Sequence, residues 1–188
     1  ALNDLSGESA PGGQPRPDSR EQHLRRPRAA DGLAVHKLVA DSGVLDLNST
    51  YAYVLLCTDF ADSSIVAERD GRVCGFIGGD HPPQRPDVLF VWQVVVAASE
   101  RGTGLGGAML DALVHRIRSE RGGHPVTVEA TVAPSNASSR ALFGGLARRH
   151  GVPMTEHDHF SAADLDPEGA HEDEPLLRIG PITAPLND

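Results

Sequence analysis

The run Arg101-Gly102-Thr103-Gly104-Leu105-Gly106-Gly107 carries the strongest chemical signal in the chain. Glycines let bare backbone N–H groups come close to a ligand, and the residues that follow recur at helical spacing. A glycine-rich turn that opens a helix offers first-turn donors with no intrahelical acceptor, at the positive end of the helix dipole, so it is an anion cradle. Gly102-x-Gly104-x-x-Gly107 also fits a dinucleotide fingerprint, with Glu129 near the spacing of a ribose contact. That reading needs the unit to open a parallel βαβ domain. Here a hairpin precedes it and too little chain follows for a complete dinucleotide fold. Two further residues stand out. Glu129 is a carboxylate in a strand that otherwise buries aliphatics, and a buried unpaired carboxylate is costly, so it either faces solvent or has a function. Trp92, the single tryptophan, fills core or walls a pocket.

The elements that must position these residues are a strand before the loop and a helix after it. Residues 88–96 form an apolar run rich in β-branched side chains, which predicts a strand buried on both faces. After the loop, Leu105, Ala108, Met109, Ala112, Leu113 and Ile117 share one helical face while Asp111, Arg118 and Glu120 look outward. Upstream, 24–28 reads as an edge strand and 31–41 as a short helix with Asp31 as its N-cap and Gly43 as its stop. Residues 51–60 are apolar nearly all round, which predicts a buried helix. The stretch 65–79 is a hairpin about Asp70-Gly71, the pair a type I′ turn demands. Downstream, 126–132 alternates as a strand, Asn136 caps a helix that runs to about His150, and the Gly144-Gly145 pair in that helix implies close packing. Residues 152–160 and 175–179 read as final strands about the polar loop 161–173. His157 and His159, two apart, suit a strand or loop.

The chain has 188 residues and a net charge of −9, which argues against nucleic acid as partner. No stretch is long and apolar enough to span a bilayer, and no signal peptide is visible, so no membrane partner is expected. Cys57 and Cys74 lie in apolar segments without a CxxC pairing, which fits reduced thiols in a cytoplasmic protein. The triplets at Asn48 and Asn136 then carry no meaning for glycosylation. The histidines show no metal-ligand spacing, so no metal is expected.

Arg101, Gly104 and Gly106 match the Arg/Gln-x-x-Gly-x-Gly/Ala pattern, and with the preceding strand the block resembles the pyrophosphate loop of the GCN5-related N-acetyltransferases. The order β-α-α-β-β-β-α-β-α-β-β agrees. The local words 46–53 (DLNSTYAY), 90–94 (FVWQV), 129–143 (EATVAPSNASSRALF), 171–174 (HEDE) and Arg178-Ile179 resemble the L-2,4-diaminobutyrate acetyltransferases, the acetylating enzymes of ectoine biosynthesis. The resemblance implies an α/β GCN5-related N-acetyltransferase fold, with a mixed central sheet splayed between the fourth and fifth strands and flanked by helices. Residues 1–22 are Gly, Pro, Ser and charge with hardly an apolar residue, which reads as a disordered tail, and the resemblance covers the rest as a single acetyltransferase domain (23–182) followed by a C-terminal tail (183–188). The resemblance further implies acetyl-CoA as cosubstrate, L-2,4-diaminobutyrate as acceptor, direct amine attack in a ternary complex, and a cytoplasmic homodimer serving osmotic stress.

By the same resemblance, Val94, Val95 and Val96 would offer backbone groups to pantetheine, Arg101, Gly102, Thr103, Gly104, Leu105 and Gly106 would hold the pyrophosphate, and Asn136 and Ser139 would meet the cofactor arm. Asp46, Tyr51, Trp92, Glu129, Thr131, Glu156 and His171 would bind the acceptor. Glu129 would bind the ammonium or relay its proton through water. Many relatives place a tyrosine on the helix after Asn136 to protonate the leaving thiolate. Here Phe143 stands at that place, leaving Tyr51 or water for the task. Two other readings stay open: an acetyltransferase for another small amine or a peptide N-terminus, and a silent acyl-CoA sensor.

Overall fold

The computed structural model describes residues 22–183 apart from 44, 167 and 170. The expected tails therefore lie almost wholly outside the described residues. Seven strands form one sheet in the order β1-β2-β3-β4-β5-β7-β6. They are β1 (Gln22–Arg25), β2 (Ile65–Arg69), β3 (Arg72–Asp80), β4 (Val88–Val96), β5 (Val126–Thr131), β6 (Met154–Phe160) and β7 (Glu174–Ile182). Helices α1 (Gly32–Ser42) and α2 (Thr50–Leu56) cover one face, while α3 (Leu105–Glu120) and α4 (Ala137–His150) cover the other. A single turn, α5 (Ala162–Leu165), sits between β6 and β7, where the sequence reads as one polar loop over 161–173. All pairings are antiparallel except β4 with β5. This is the α/β architecture that the order of elements implied.

Local chemistry explains most boundaries. Asp70 at φ 52° and Gly71 at φ 74° make the tight turn of the β2–β3 hairpin. Ser49 caps α2 by accepting the Ala52 N–H, and Gly43 and Gly151 end α1 and α4 in the left-handed region. Among the described residues no helix is long and apolar enough to cross a membrane.

Several expectations change. Asp31 is not a side-chain cap: it is buried, takes the Arg28 N–H and pairs with Arg25. Helix α2 is shorter than its apolar run, and only its Tyr53–Leu56 face is buried. Tyr51 on the other face is 71% exposed. Arg118 faces inward, its guanidinium on the Gly123 carbonyl, because the buried stripe of α3 runs through Leu110 and Val114 in place of Ala108. Strand β4 is fully buried only at Val88, Leu89, Val91 and Val95, and Phe90 is half-buried on the cavity side. The glycine pair in α4 receives no neighbouring backbone; the Arg149 side chain lies over Gly145 and Gly107 and bonds Asp111.

Two apolar clusters sandwich the sheet. Leu89, Met109, Leu113, Val128, Leu146 and Leu177 belong to the one beneath α3 and α4; Val35, Tyr53, Leu56, Phe76 and Val95 belong to the one beneath α1 and α2. Burial pushes the Cys57 thiol up to about 12, and the Cys74 thiol upward as well, so neither is reactive near neutrality.

Candidate active site

The site begins with a broken ladder. Strands β4 and β5 share three rungs, Val88 with Thr127, Leu89 with Val128 and Phe90 with Glu129. Past Phe90, β4 continues beside β3 alone, and past Glu129, β5 continues beside β7 alone. The facing edges of residues 91–96 and 130–131 are left open to an extended chain that can bond to both. The expected splay between the fourth and fifth strands is therefore present.

A bulge sets what lies above it. Val91 pairs with Gly79 and Gln93 with Gly78, leaving Trp92 as the extra residue. The insertion reverses the alternation of β4: Leu89 and Val91 face the α3–α4 cluster, whereas beyond the bulge Val94 and Val96 do, and Val95 turns to α1 and α2. Glycine is required opposite the bulge, since a Cβ on Gly79 would stand 2.6 Å from the Phe90 carbonyl oxygen. Gln93 donates to the Asp46 carbonyl at 3.2 Å and so ties the α1–α2 loop to the bulge. The Oε1 of its side-chain amide is buried without a partner.

At the far end of β4 the glycine loop leads straight into α3. Gly102 (φ 74°) and Gly104 (φ 84°) occupy the left-handed region, and a Cβ on either would meet nothing within 4 Å. Helix α3 has no side-chain cap, and its first bond runs from the Ala108 N–H to the Gly104 carbonyl, 3.0 Å. The N–H groups of Leu105, Gly106 and Gly107 are therefore left to an outside acceptor. Arg101 is exposed beside them. The Thr103 hydroxyl is turned inward, onto the Glu100 carbonyl at 2.7 Å. Asn136 accepts from the Ser139 N–H at 3.0 Å and from the Ser138 hydroxyl, which is the capping role.

The acceptor candidates gather on the face away from α3 and α4. Trp92, 53% exposed, lines a cavity of about 390 Å³ with Leu56, Phe60, Gly79, Asp80, Pro82 and Phe90. Trp92 is thus a pocket wall and not core. Asp80 has no signal in the sequence, falling just past the hairpin read there; burial pushes its carboxyl upward, against the nearby His81 and Arg85. Glu129, across the last rung from Phe90, is neither exposed nor unpaired. It is fully buried, with Arg85 Nη1 at 2.5 Å on one oxygen and Arg178 Nη1 on the other. Arg178 stands in one of the words that carry the resemblance, which gives it no role, and Arg85 has no signal, because nothing local marks residues so distant in the chain as partners of one carboxylate. Thr131, two residues on and on the same face, donates to Glu174 at 2.9 Å. Asp46 and Tyr51 are exposed on the α1–α2 side.

Two candidates lie elsewhere. Glu156 pairs across the ladder with Leu177, which faces α4, and binds Arg140 of that helix, so it belongs to the other side of the sheet. His171 is exposed in the loop before β7, outside any element. Phe143 is buried in the α3–α4 cluster and has no proton to give.

A splayed parallel pair, a bulge and an uncapped glycine loop form one connected frame, and the Acetyltransferase (GNAT) family matches it over residues 33–145. The chain belongs to that family. A relative from Bordetella parapertussis, an L-2,4-diaminobutyric acid acetyltransferase, is 47% identical, the match covering 87% of this chain and 86% of that one. The enzyme of the same name from Streptomyces coelicolor is 45% identical over 86% of this chain and 94% of its own. Among solved structures, the diaminobutyrate acetyltransferase EctA from Paenibacillus lautus, in complex with its substrate L-2,4-diaminobutyric acid and coenzyme A, superposes with a TM-score of 0.77. It is 42% identical and is covered completely by 90% of this chain. The Escherichia coli ribosomal-protein-S18-alanine N-acetyltransferase, at 17% identity and TM-score 0.60, shares the fold alone. The resemblance seen in the sequence words of this GNAT protein is borne out.

Proposed function

We propose that this protein transfers an acetyl group from acetyl-CoA to the γ-amine of L-2,4-diaminobutyrate, giving N-γ-acetyl-L-2,4-diaminobutyrate, the acetylation step of ectoine biosynthesis. The observation that carries the reading is the full-length match at 42% identity to a structure holding that substrate and coenzyme A. The arrangement in this chain suits the chemistry. The pyrophosphate rests on the N–H groups that open α3, beside Arg101. The pantetheine arm runs between the parted edges of β4 and β5, along Val94, Val95 and Val96. The acceptor lies on the opposite face, walled by Trp92 and Tyr51.

Transfer requires the γ-ammonium to lose a proton before its nitrogen attacks the thioester carbonyl. Asp46 is assigned to the ammonium. Glu129, fully buried between Arg85 and Arg178, is assigned to orienting the water that takes this proton, through the guanidiniums that it holds. The oxygen of the attacked carbonyl is met by a backbone N–H of β4 past the bulge. The departing thiolate takes its proton from Tyr51 or from water. The chain is further read as one acetyltransferase domain over 23–182, forming a cytoplasmic homodimer that serves osmotic stress.

Release of free thiol from acetyl-CoA, measured with and without L-2,4-diaminobutyrate, tests the reading. Release that depends on the diamine is expected. Release with another amine only would assign a different substrate, and binding of acetyl-CoA with no release on any amine would make the protein a sensor.

A further inference from the structure

The arrangement about Glu129 holds more positive charge than that carboxylate neutralises. Arg85 reaches it from the loop before β4, where its N–H bonds the Pro82 carbonyl at 2.8 Å and its carbonyl accepts from Val88 at 3.0 Å. Arg178 reaches it from β7, directly opposite Glu129 in the ladder. Both pair with Glu129, whose side chain is 0% exposed, yet the guanidiniums are 46% and 42% exposed. Each therefore spends one nitrogen on the buried acid and turns the rest of its donor fork outward. Asp80 is a further acid near Arg85, but it makes no hydrogen bond or ion pair to that guanidinium, whose donor goes to Glu129.

The cluster lies on the acceptor face. Glu129 is one rung from Phe90, which shares the cavity wall with Trp92. An acceptor of the kind proposed above carries three charged groups, and one of them, the α-carboxylate, needs cationic partners away from the thioester. The carboxylates of the site cannot supply them. Guanidinium forks fit a carboxylate by paired, charge-assisted bonds. A buried acid that fixes two such forks from behind sets their direction without occupying their outer edges.

We infer that Arg85 and Arg178, held by Glu129, form the binding site for the α-carboxylate of the amino-acid acceptor and so choose an amino acid over a simple diamine. This rests on the proposed reaction. Anchoring the carboxylate end there leaves the γ-amine as the group able to reach the thioester, so selection between two similar amines follows from position.

The test compares L-2,4-diaminobutyrate with 1,3-diaminopropane, the same diamine without the carboxylate, in the full chain and in Arg85→Gln, Arg178→Gln, Arg85→Lys and Arg178→Lys. The wild-type protein should favour diaminobutyrate. In each glutamine variant the ratio of kcat/KM for diaminobutyrate to that for diaminopropane should fall about ten- to a hundredfold, mostly through KM for diaminobutyrate. The lysine variants, which keep the charge beside Glu129 and lose the fork, should fall between. Any loss that both amines share belongs to structure and cancels in the ratio. A ratio within about twofold of wild type in all four variants overturns the inference while leaving the proposed reaction intact. Wild-type protein that does not acetylate diaminobutyrate overturns the reaction, and the inference with it.

Discussion

Phe90 and Glu129 face each other across the last rung joining β4 to β5, and beyond that pair the two strands share no hydrogen bonds. One rung thus couples two different surfaces. Phe90 belongs to the apolar wall with Trp92, while Glu129 gathers Arg85 and Arg178. The point where the sheet opens to an extended chain is also the point where apolar and charged acceptor surfaces meet, so small changes in register there should reach the chemistry.

Gly79 is the most exacting position in that register. A methyl group at 2.6 Å from the Phe90 carbonyl oxygen and 3.1 Å from the Ser63 carbonyl oxygen meets backbone on both sides, and movement of Leu89 Cδ1, at 3.3 Å, relieves neither contact. Gly79→Ala should destabilise the protein by about 1–3 kcal/mol. It should also lower activity through displacement of Trp92. Urea unfolding together with thiol release would measure both, and unchanged values would show that the bulge relaxes at no cost.

The cradle separates strain from space. Gly104 at φ 84° has open room around it, so Gly104→Ala meets no clash but forces a side chain into the left-handed region, at about 1–2 kcal/mol. Gly106 lies in ordinary helical backbone, with Leu142 Cδ1 at 3.4 Å and Val96 Cγ2 at 3.8 Å from a built Cβ. Gly106→Val should therefore weaken acetyl-CoA binding at least tenfold with a smaller effect on stability than Gly104→Ala. Calorimetric titration with acetyl-CoA, paired with melting curves, tells the two effects apart.

Much of this frame was legible because it rests on short-range rules. Asp70-Gly71 specifies its turn by backbone geometry, and Gly102 and Gly104 specify theirs the same way. The bulge was not legible, because an extra residue in β4 exists only relative to the register of β3, and Trp92 looks like any aromatic in a strand. Glu129 stands out as unusual in its strand, but its partners lie 44 and 49 residues away, and no local spacing announces an ion pair of that kind. Tyr51 misleads in the opposite direction: an apolar run reads as buried all round, although α2 packs through Tyr53 and Leu56 only.

Asp31 offers a pH test remote from the site. Burial pushes its carboxyl up, but bonds from the Arg25 guanidinium (2.8 and 2.9 Å) and the Arg28 N–H (2.8 Å) outweigh it and hold the group below the usual carboxylate range. A carboxyl depressed in the folded state adds stability above its unfolded value, near pH 4, and that stability fades as pH falls through the lower folded value. Asp31→Asn should thus lose about 1.5–3 kcal/mol at neutral pH, with the gap to wild type closing below about pH 4. Denaturant melts at pH 7 and pH 3 check the sign; a gap that widens in acid would contradict it.

The last expectation concerns which side of the Arg85–Glu129–Arg178 cluster the fold depends on. Glu129 is fully buried whereas both guanidiniums keep nearly half their surface in water. The substitution Glu129→Gln leaves two cations that can hydrate, and the isosteric amide still accepts one bond, so the loss should stay at about 1.5–3 kcal/mol. Replacing both arginines by leucine leaves a desolvated carboxylate with no counter-charge, a defect of about 3–5 kcal/mol. Arg85→Leu with Arg178→Leu should therefore unfold at markedly lower urea than Glu129→Gln, even though the second variant removes the more buried residue. Equal midpoints for the two proteins at neutral pH would mean that Glu129 finds water or another donor when the arginines are gone.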